Sequence, residues 1–216
     1  GGENVGDYLT LAPTLITSII LGYLLGAIPL ADQLSRRYGV NIFSEGSGLA
    51  GSSNVLHCVG KLPAILVLTG DMGKGAIIII SAGMLGIDDT LQIIPLTASV
   101  IGHWKSVFSK FRGGDGLATL GGGAIALFGM IGMISTAIAM LTSLGGQRLP
   151  YSSLLGIVLG YISLVILTTI SQNGQVTLTI GFGATSILVL LYSINGHRSR
   201  NSLPQFDSTN AGVGRF

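Results

Sequence analysis

The chain has 216 residues, of which only 9% are Asp, Glu, Lys or Arg, against about a quarter in ordinary soluble domains. Hydrophobic residues make up 48%, glycine fills 34 positions, and the mean hydropathy is +0.70. Eleven basic and nine acidic side chains cannot cover a water-facing surface of this size, which excludes a soluble globule. Disorder is excluded as well, because disordered chains are poor in apolar residues and rich in charge. A net charge of +2 without a long basic run excludes a nucleic-acid binder, and the single Cys58 excludes an internal disulfide. An all-α integral membrane protein remains.

Spans follow from charge-free stretches, since a helix crosses the hydrocarbon core with about 20 apolar residues. Residues 8–31 form the first; their flank holds Glu3 and Asp7 and no basic residue, unlike a signal peptide, so the helix is expected to be retained. Residues 62–87 form a second, interrupted by Asp71 and Lys74, and 90–102 a short third containing Pro95. Residues 149–196 are uncharged for too long to be one helix and must fold back once, with the polar run 171–175 as the turn. Between them, 116–147 is long for one span and short for two.

Charge placement decides that segment. Loops on the cytoplasmic side are enriched in Lys and Arg. Arg36, Arg37 and Lys61 sit in one loop, Lys105, Lys110 and Arg112 in another, Arg148 in a third, and Arg198 and Arg200 near the end, whereas the remaining flanks carry only Glu3, Asp7, Asp88 and Asp89. Placing every basic loop on one side requires 116–147 to enter and return, as a short Gly-rich segment followed by a helix near 131–144. The expectation is seven transmembrane segments, some short or broken, with the N-terminus outside and the C-terminus cytoplasmic. Residues 1–201 are one transmembrane domain and 202–216 an irregular tail. Most glycines are expected where helix backbones approach closely.

Polar residues gather in five clusters on the basic side. Residues 45–54, Glu-Gly-Ser-Gly-Leu-Ala-Gly-Ser-Ser-Asn, combine glycines with Ser and Asn donors, as a phosphate cradle requires, although turns use the same residues. Asp71 and Lys74 are three apart on a helix and can pair; intramembrane charges are costly and usually mark a site, with Lys74 expected to reach a cytoplasmic pocket. His103-Trp104-Lys105 and the following Arg112-Gly113-Gly114 offer an acid/base group beside an anion-binding turn; an interfacial position in the aromatic belt is the plainer reading of His103 and Trp104. Tyr151-Ser152-Ser153 and His197-Arg198-Ser199-Arg200-Asn201 complete the set.

In this order the clusters resemble the PlsY family, bacterial membrane acyl-phosphate:glycerol-3-phosphate acyltransferases. The first family signature, roughly G-S-G-N-x-G-A-T-N-x-x-R, is matched by residues 46–57, D-x-x-K-G by Asp71 to Gly75, and G-H-x-x-P-x-F-x-x-F-K-G-G-K-G-V-A-T by residues 102–119. A serine motif is matched at Ser152-Ser153, and the closing H-R-x-N at His197-Arg198, with the Asn one place late at Asn201. The resemblance implies transfer of an acyl group from acyl phosphate to glycerol 3-phosphate in a bacterial inner membrane, giving lysophosphatidate, with no cofactor and no metal. It implies Ser47, His103, His197 and Asn201 as catalytic residues. It implies Gly46, Gly48, Gly51, Asn54, Lys74, Arg112, Gly113, Gly114, Gly116, Ser152 and Ser153 as the substrate- and phosphate-binding set.

Several departures fall inside these motifs, among them Ser106 for the family's Pro, and three change polarity or charge. Leu49 stands for the family's Asn, His57 for its Arg and Asp115 for its second Lys, so the local charge changes by two units at position 115. These replacements predict weaker phosphate holding. They also define an alternative, a catalytically silent fold serving as a structural or lipid-binding subunit among other membrane proteins.

Overall fold

In a computed structural model the chain is described over residues 5–145, 152–171 and 175–201, without the side chains of 5–10, 144 and 196–201. Every regular element among the described residues is helical. α1 (Val5–Ala27) is followed by the short α2 (Leu30–Arg37), α3 (Ser52–Cys58), α4 (Lys61–Met84) and α5 (Ile93–Trp104). A 3₁₀ turn (Val107–Ser109) precedes α6 (Leu117–Phe128), α7 (Met130–Gly145), α8 (Ser152–Ile170) and α9 (Val176–Asn201). Four helices among the described residues are long and apolar enough to cross a membrane, Leu11–Arg37, Lys61–Met84, Ser152–Ile170 and Val176–Asn195, with Leu117–Phe128 and Met130–Ser143 as shorter apolar helices.

The first candidate span is broken near its end. The helix stops at Ala27 because Ile28 precedes Pro29, which disfavours the α conformation at the residue before it. The chain restarts as α2, whose Ala31, Asp32 and Ser35 are buried while Gln33, Arg36 and Arg37 are exposed.

Within the 116–147 segment, residues 117–145 form a helical hairpin. α6 and α7 are separated by Gly129 alone, at φ 57, a left-handed conformation that glycine adopts at no steric cost. The antiparallel return is recorded in contacts: the Thr136 hydroxyl donates to the Gly121 carbonyl at 3.2 Å, and Gly132 lies against the Ala124 carbonyl.

Glycine sets which helices touch. Gly22 and Gly26, four apart on α1, meet the Pro95 and Ser99 carbonyls of α5, and Gly102 of α5 meets the Tyr23 carbonyl in return. Gly75 of α4 and Gly122 of α6 approach the backbone of Thr119 and Met72 in the same way, and Gly156 of α8 approaches Ala139 of α7. Without a hydrophobic drive between helices in lipid, such close backbone approach is what dispersion and weak hydrogen bonds require. The opposite faces are apolar and exposed, as at Ile16, Ile20 and Leu24 on α1 and Ile162, Ile166 and Ile170 on α8. These are lipid-facing stripes.

Inside, α4, α5, α6, α8 and α9 share one core built around Ile78, Leu96, Val100, Leu164 and Val189. Phe128 packs edge-on to Phe182 at 5.6 Å, and Trp104 stacks on Tyr192 at 4.3 Å. A smaller cluster of Ile42, Ala50, Val55 and Val67 fixes the α2–α3 region onto α4.

Candidate active site

The 41–51 loop is wound around one side chain. Asn54, buried at the start of α3, donates its amide hydrogens to the carbonyls of Ile42, Glu45 and Leu49 at 3.0–3.1 Å and accepts the Ser47 N–H at 3.0 Å. Gly46, at φ 55, leaves room for the Asn54 oxygen, and Gly48 turns the chain at φ 67. The amide is therefore spent on the loop. Ser47 is left exposed, its hydroxyl oxygen 3.4 Å from the Leu49 N–H.

Behind this loop, α4 and α5 bring three ionisable groups together. Asp71 Oδ1 accepts from Lys74 Nζ at 2.7 Å and lies 3.7 Å from His103 Nδ1. All three residues are buried. Lys74 also donates to the carbonyls of Ile28 at 2.5 Å and Gly26 at 3.5 Å, at the break between α1 and α2, where the Ile28 carbonyl accepts the Leu30 N–H as well. Its three donors are thus engaged, and the expected reach into the main pocket is not made.

The 105–116 segment closes the arrangement. Ala50 N–H donates to the Gly113 carbonyl at 3.1 Å, Gly114 N–H donates to the His103 carbonyl, and Arg112 donates to the Phe43 carbonyl while its guanidinium stacks 4.2 Å over the Phe43 ring. Asp115 accepts the Leu117 N–H at 3.2 Å, capping α6, and its carbonyl accepts Trp104 Nε1 at 2.7 Å. An anion at a helix N-terminus is favourable, so this carboxylate has a local partner that a Lys at the same place would not have. Trp104 is buried and stacked, not an exposed member of an aromatic belt.

These pieces enclose a cavity of about 150 Å³ with two unlike ends. One end is lined by Ser47, Gly51, Ser52, Ser53, Asp71, His103 and Asp115; the other runs between α6, α7, α8 and α9 along Leu120, Ala124, Ala139, Ile157, Leu164 and Phe182, mostly apolar but with the hydroxyls of Ser135, Thr136, Ser143, Tyr161 and Ser186 among them. Of the residues singled out in the sequence, Ser47, Gly51, Asn54 and His103 meet at its wall. Lys74, Arg112, Gly113 and Gly114 lie instead behind His103, around a separate water-sized void of about 10 Å³. Gly116 forms the turn before α6, at φ 81 beside Trp104. Ser152 and Ser153 are half-buried at the start of α8 and do not line the cavity. His197 and Asn201 fall in the last turns of α9, where the side chains are outside the described residues.

Asp115 and the apolar end were not assigned to the site from sequence, and Asp71 was read there only as the partner of Lys74. A carboxylate one turn from an intramembrane Lys was the available signal for Asp71. Nothing in local sequence marks Phe182 or Leu164, because they converge only through the packing of α8 and α9. Among the described residues no group of His, Cys, Asp and Glu is arranged to hold a metal ion.

Residues 16–202 match the glycerol-3-phosphate acyltransferase family. The chain is 37% identical over 145 residues to a glycerol-3-phosphate acyltransferase of Rubrobacter xylanophilus, covering 67% of this chain and 71% of that protein. It is 32% identical over 191 residues to one of a Roseiflexus species, covering 87% and 94%. Its fold matches the crystal structure of PlsY, an integral membrane glycerol 3-phosphate acyltransferase in its glycerol 3-phosphate form, with a TM-score of 0.72 and 26% identity, covering 87% of this chain and 91% of that one. A family match across most of the sequence, relatives at this identity and a shared helical architecture agree, and the chain belongs to the glycerol-3-phosphate acyltransferase family of integral membrane proteins.

Proposed function

We propose that this chain transfers an acyl group from acyl phosphate to the 1-hydroxyl of glycerol 3-phosphate, releasing lysophosphatidate and phosphate. The observation that carries this reading is the two-ended cavity: a polar end with Ser47 and His103 opens into an apolar body between α6 and α9. That is the shape required by a donor whose head is charged and whose tail is a hydrocarbon.

The hydroxyl oxygen attacks the acyl carbon, the new ester C–O bond forms, and the bond to the phosphate oxygen breaks. Acyl phosphate is already activated, so positioning and charge stabilisation suffice and no covalent enzyme intermediate is needed. His103 has Nδ1 turned towards Asp71, which favours the tautomer protonated there and leaves Nε2, which lies against Gly114, as the nitrogen that accepts the hydroxyl proton. Ser47 at the mouth donates to a phosphate oxygen, with His197 and Asn201 completing the catalytic set from the end of α9. Gly46, Gly48 and Asn54 shape the loop, and Gly51, Ser52 and Ser53 face the substrate. Lys74 and Arg112 act as supports, one fixing Asp71 and the other fixing Phe43. Gly113, Gly114 and Gly116 let the 105–116 segment close on α5, and Ser152 and Ser153 flank the site at the start of α8.

The charge distribution supports seven transmembrane segments in one domain over residues 1–201, with the N-terminus outside, the site facing the cytoplasm, and the protein resident in a bacterial inner membrane. Purified protein incubated with acyl phosphate and labelled glycerol 3-phosphate is expected to form labelled lysophosphatidate. No product above the no-protein control overturns the reading and leaves a silent, lipid-binding subunit of a membrane assembly.

A further inference from the structure

Between α5 and α6 the chain makes a tight, strained and unusually exposed loop. Phe108 and Phe111 are each 60% exposed, and Val107 40%. Lys105 and Lys110 beside them are exposed too, and segment 105–112 contains no acidic residue. Lys110 and Phe111 both have left-handed backbones, at φ 54 and φ 59. For two consecutive residues with side chains this is costly, and such strain persists only where the surroundings impose it.

The surroundings do impose it. Ser106 Oγ donates to the Ala27 carbonyl, Tyr23 donates to the Lys105 carbonyl at 2.8 Å, Ser109 Oγ reaches Asp32 at 3.5 Å, and Phe111 N–H closes on the Ser106 carbonyl at 2.8 Å. The loop is held from α1 and α2, and what it presents outward is two aromatic rings and two ammonium groups. Asp32, the acid closest to it through Ser109, is already paired with Arg36 at 2.8 Å. The loop follows directly on the C-terminal end of the 12-residue apolar helix α5.

We infer that loop 105–112 is a docking surface for anionic lipid headgroups of the leaflet on the site's side. Phenylalanine rings insert at the boundary between headgroups and acyl chains, and lysines beside them draw in lipid phosphates; this pairing of apolar body and cationic rim is what interfacial segments use. Within the segment Lys105, Lys110 and Arg112 meet no acid, and Asp32 is engaged, so the segment itself carries one sign of charge, complementary to an anionic lipid. Glu45 on the adjoining loop and Asp115 beyond the segment are the neighbouring acids. The consequence lies next door. Gly113 and Gly114 continue directly from the loop and pack against His103, so a loop seated on the leaflet keeps the polar end of the cavity at headgroup height, where an amphiphile enters without leaving the bilayer. This surface goes beyond the acyl-transfer reading and does not depend on it.

The test reads the loop itself. The full chain carrying Cys58→Ser and Val107→Cys, labelled with an environment-sensitive fluorophore, is reconstituted in phosphatidylcholine bilayers with and without phosphatidylglycerol. Label emission is expected to shift to the blue when phosphatidylglycerol is present and to return as salt is raised, because headgroup attraction is screened within a Debye length. Lys105→Gln together with Lys110→Gln is expected to raise the phosphatidylglycerol fraction needed for half the shift several-fold, and Phe108→Ala with Phe111→Ala to abolish the shift. Emission that is the same in both bilayers, or a shift that survives both high salt and loss of the two lysines, overturns the assignment. The readout needs no turnover, so its failure is separate from a failure of the acyltransferase assay.

Discussion

The imidazole of His103 occupies the space that a side chain at Gly114 would fill: a Cβ built there runs into Nε2 on one side and the Ala50 carbonyl on the other. The glycine is thus a steric condition for the position of the histidine, and the two come from segments joined by the 105–112 loop. Gly114→Ala is expected to displace the ring and lower acyl transfer by roughly a hundredfold, the scale set by a misplacement of about 1 Å in a reacting group. Turnover measured beside thermal unfolding checks this; a loss of activity out of proportion to the loss of stability is the expected pattern.

Asp71 and Lys74 form a buried pair whose lysine also ties off the end of α1. Removing one partner leaves a charge without compensation, and Lys74→Ala is expected to cost about 3–5 kcal/mol of stability. Replacing both, as Asp71→Asn with Lys74→Met, is expected to recover much of that stability but not the activity, because Nδ1 of His103 has then lost its carboxylate. Thermal unfolding in detergent together with initial rates distinguishes the two effects.

The all-helical membrane class was legible in the sequence because lipid imposes charge-free stretches and the few charges fall between them, whereas the short α2 and α3 were not read. The hairpin over 117–145 was legible as well, once the basic loops were required to share a side, and Gly129 provides its turn. What could not be read was the use of each polar group. Glycine, serine and asparagine in the 45–54 run suggest donors for a phosphate, yet Asn54 gives both amide hydrogens to the loop, and Lys74 gives all of its own to Asp71 and two carbonyls. Composition says that donors exist; only the fold says which are already taken. The apolar end of the cavity was invisible for a similar reason, since Leu164 and Phe182 read as ordinary residues of apolar helices.

Asp115 gives a sharper prediction than charge reversal alone. It faces the polar end of the cavity and caps α6 through the Leu117 N–H. Asn keeps the capping oxygen and removes the negative charge, so Asp115→Asn is expected to lower KM for glycerol 3-phosphate about fivefold with stability nearly unchanged, a gain of roughly 1 kcal/mol against a charged substrate. Asp115→Lys loses the cap and is expected to cost about 1 kcal/mol in stability. Steady-state kinetics and unfolding midpoints of the two variants check the separation.

Gly26 sits where α1 meets the Ser99 carbonyl of α5. Gly26→Val is expected to push the helices apart and lower stability by up to about 3 kcal/mol. Leu24→Ala, on the exposed side of the same helix, is expected to change it by less than about 0.5 kcal/mol. Unfolding of both variants in the same detergent compares the two faces directly.

The central claim is that the acyl chain of the donor lies in the cavity between α6 and α9 while its phosphate meets His103. An acyl phosphate analogue carrying a photoreactive group at the end of its chain tests this, with adducts mapped by mass spectrometry and competed by unlabelled acyl phosphate. The account predicts competed adducts on the inward residues Tyr161, Leu164 and Phe182. Adducts confined to the lipid-facing Ile162, Ile166 and Ile187 of the same helices, unchanged by the competitor, would contradict it.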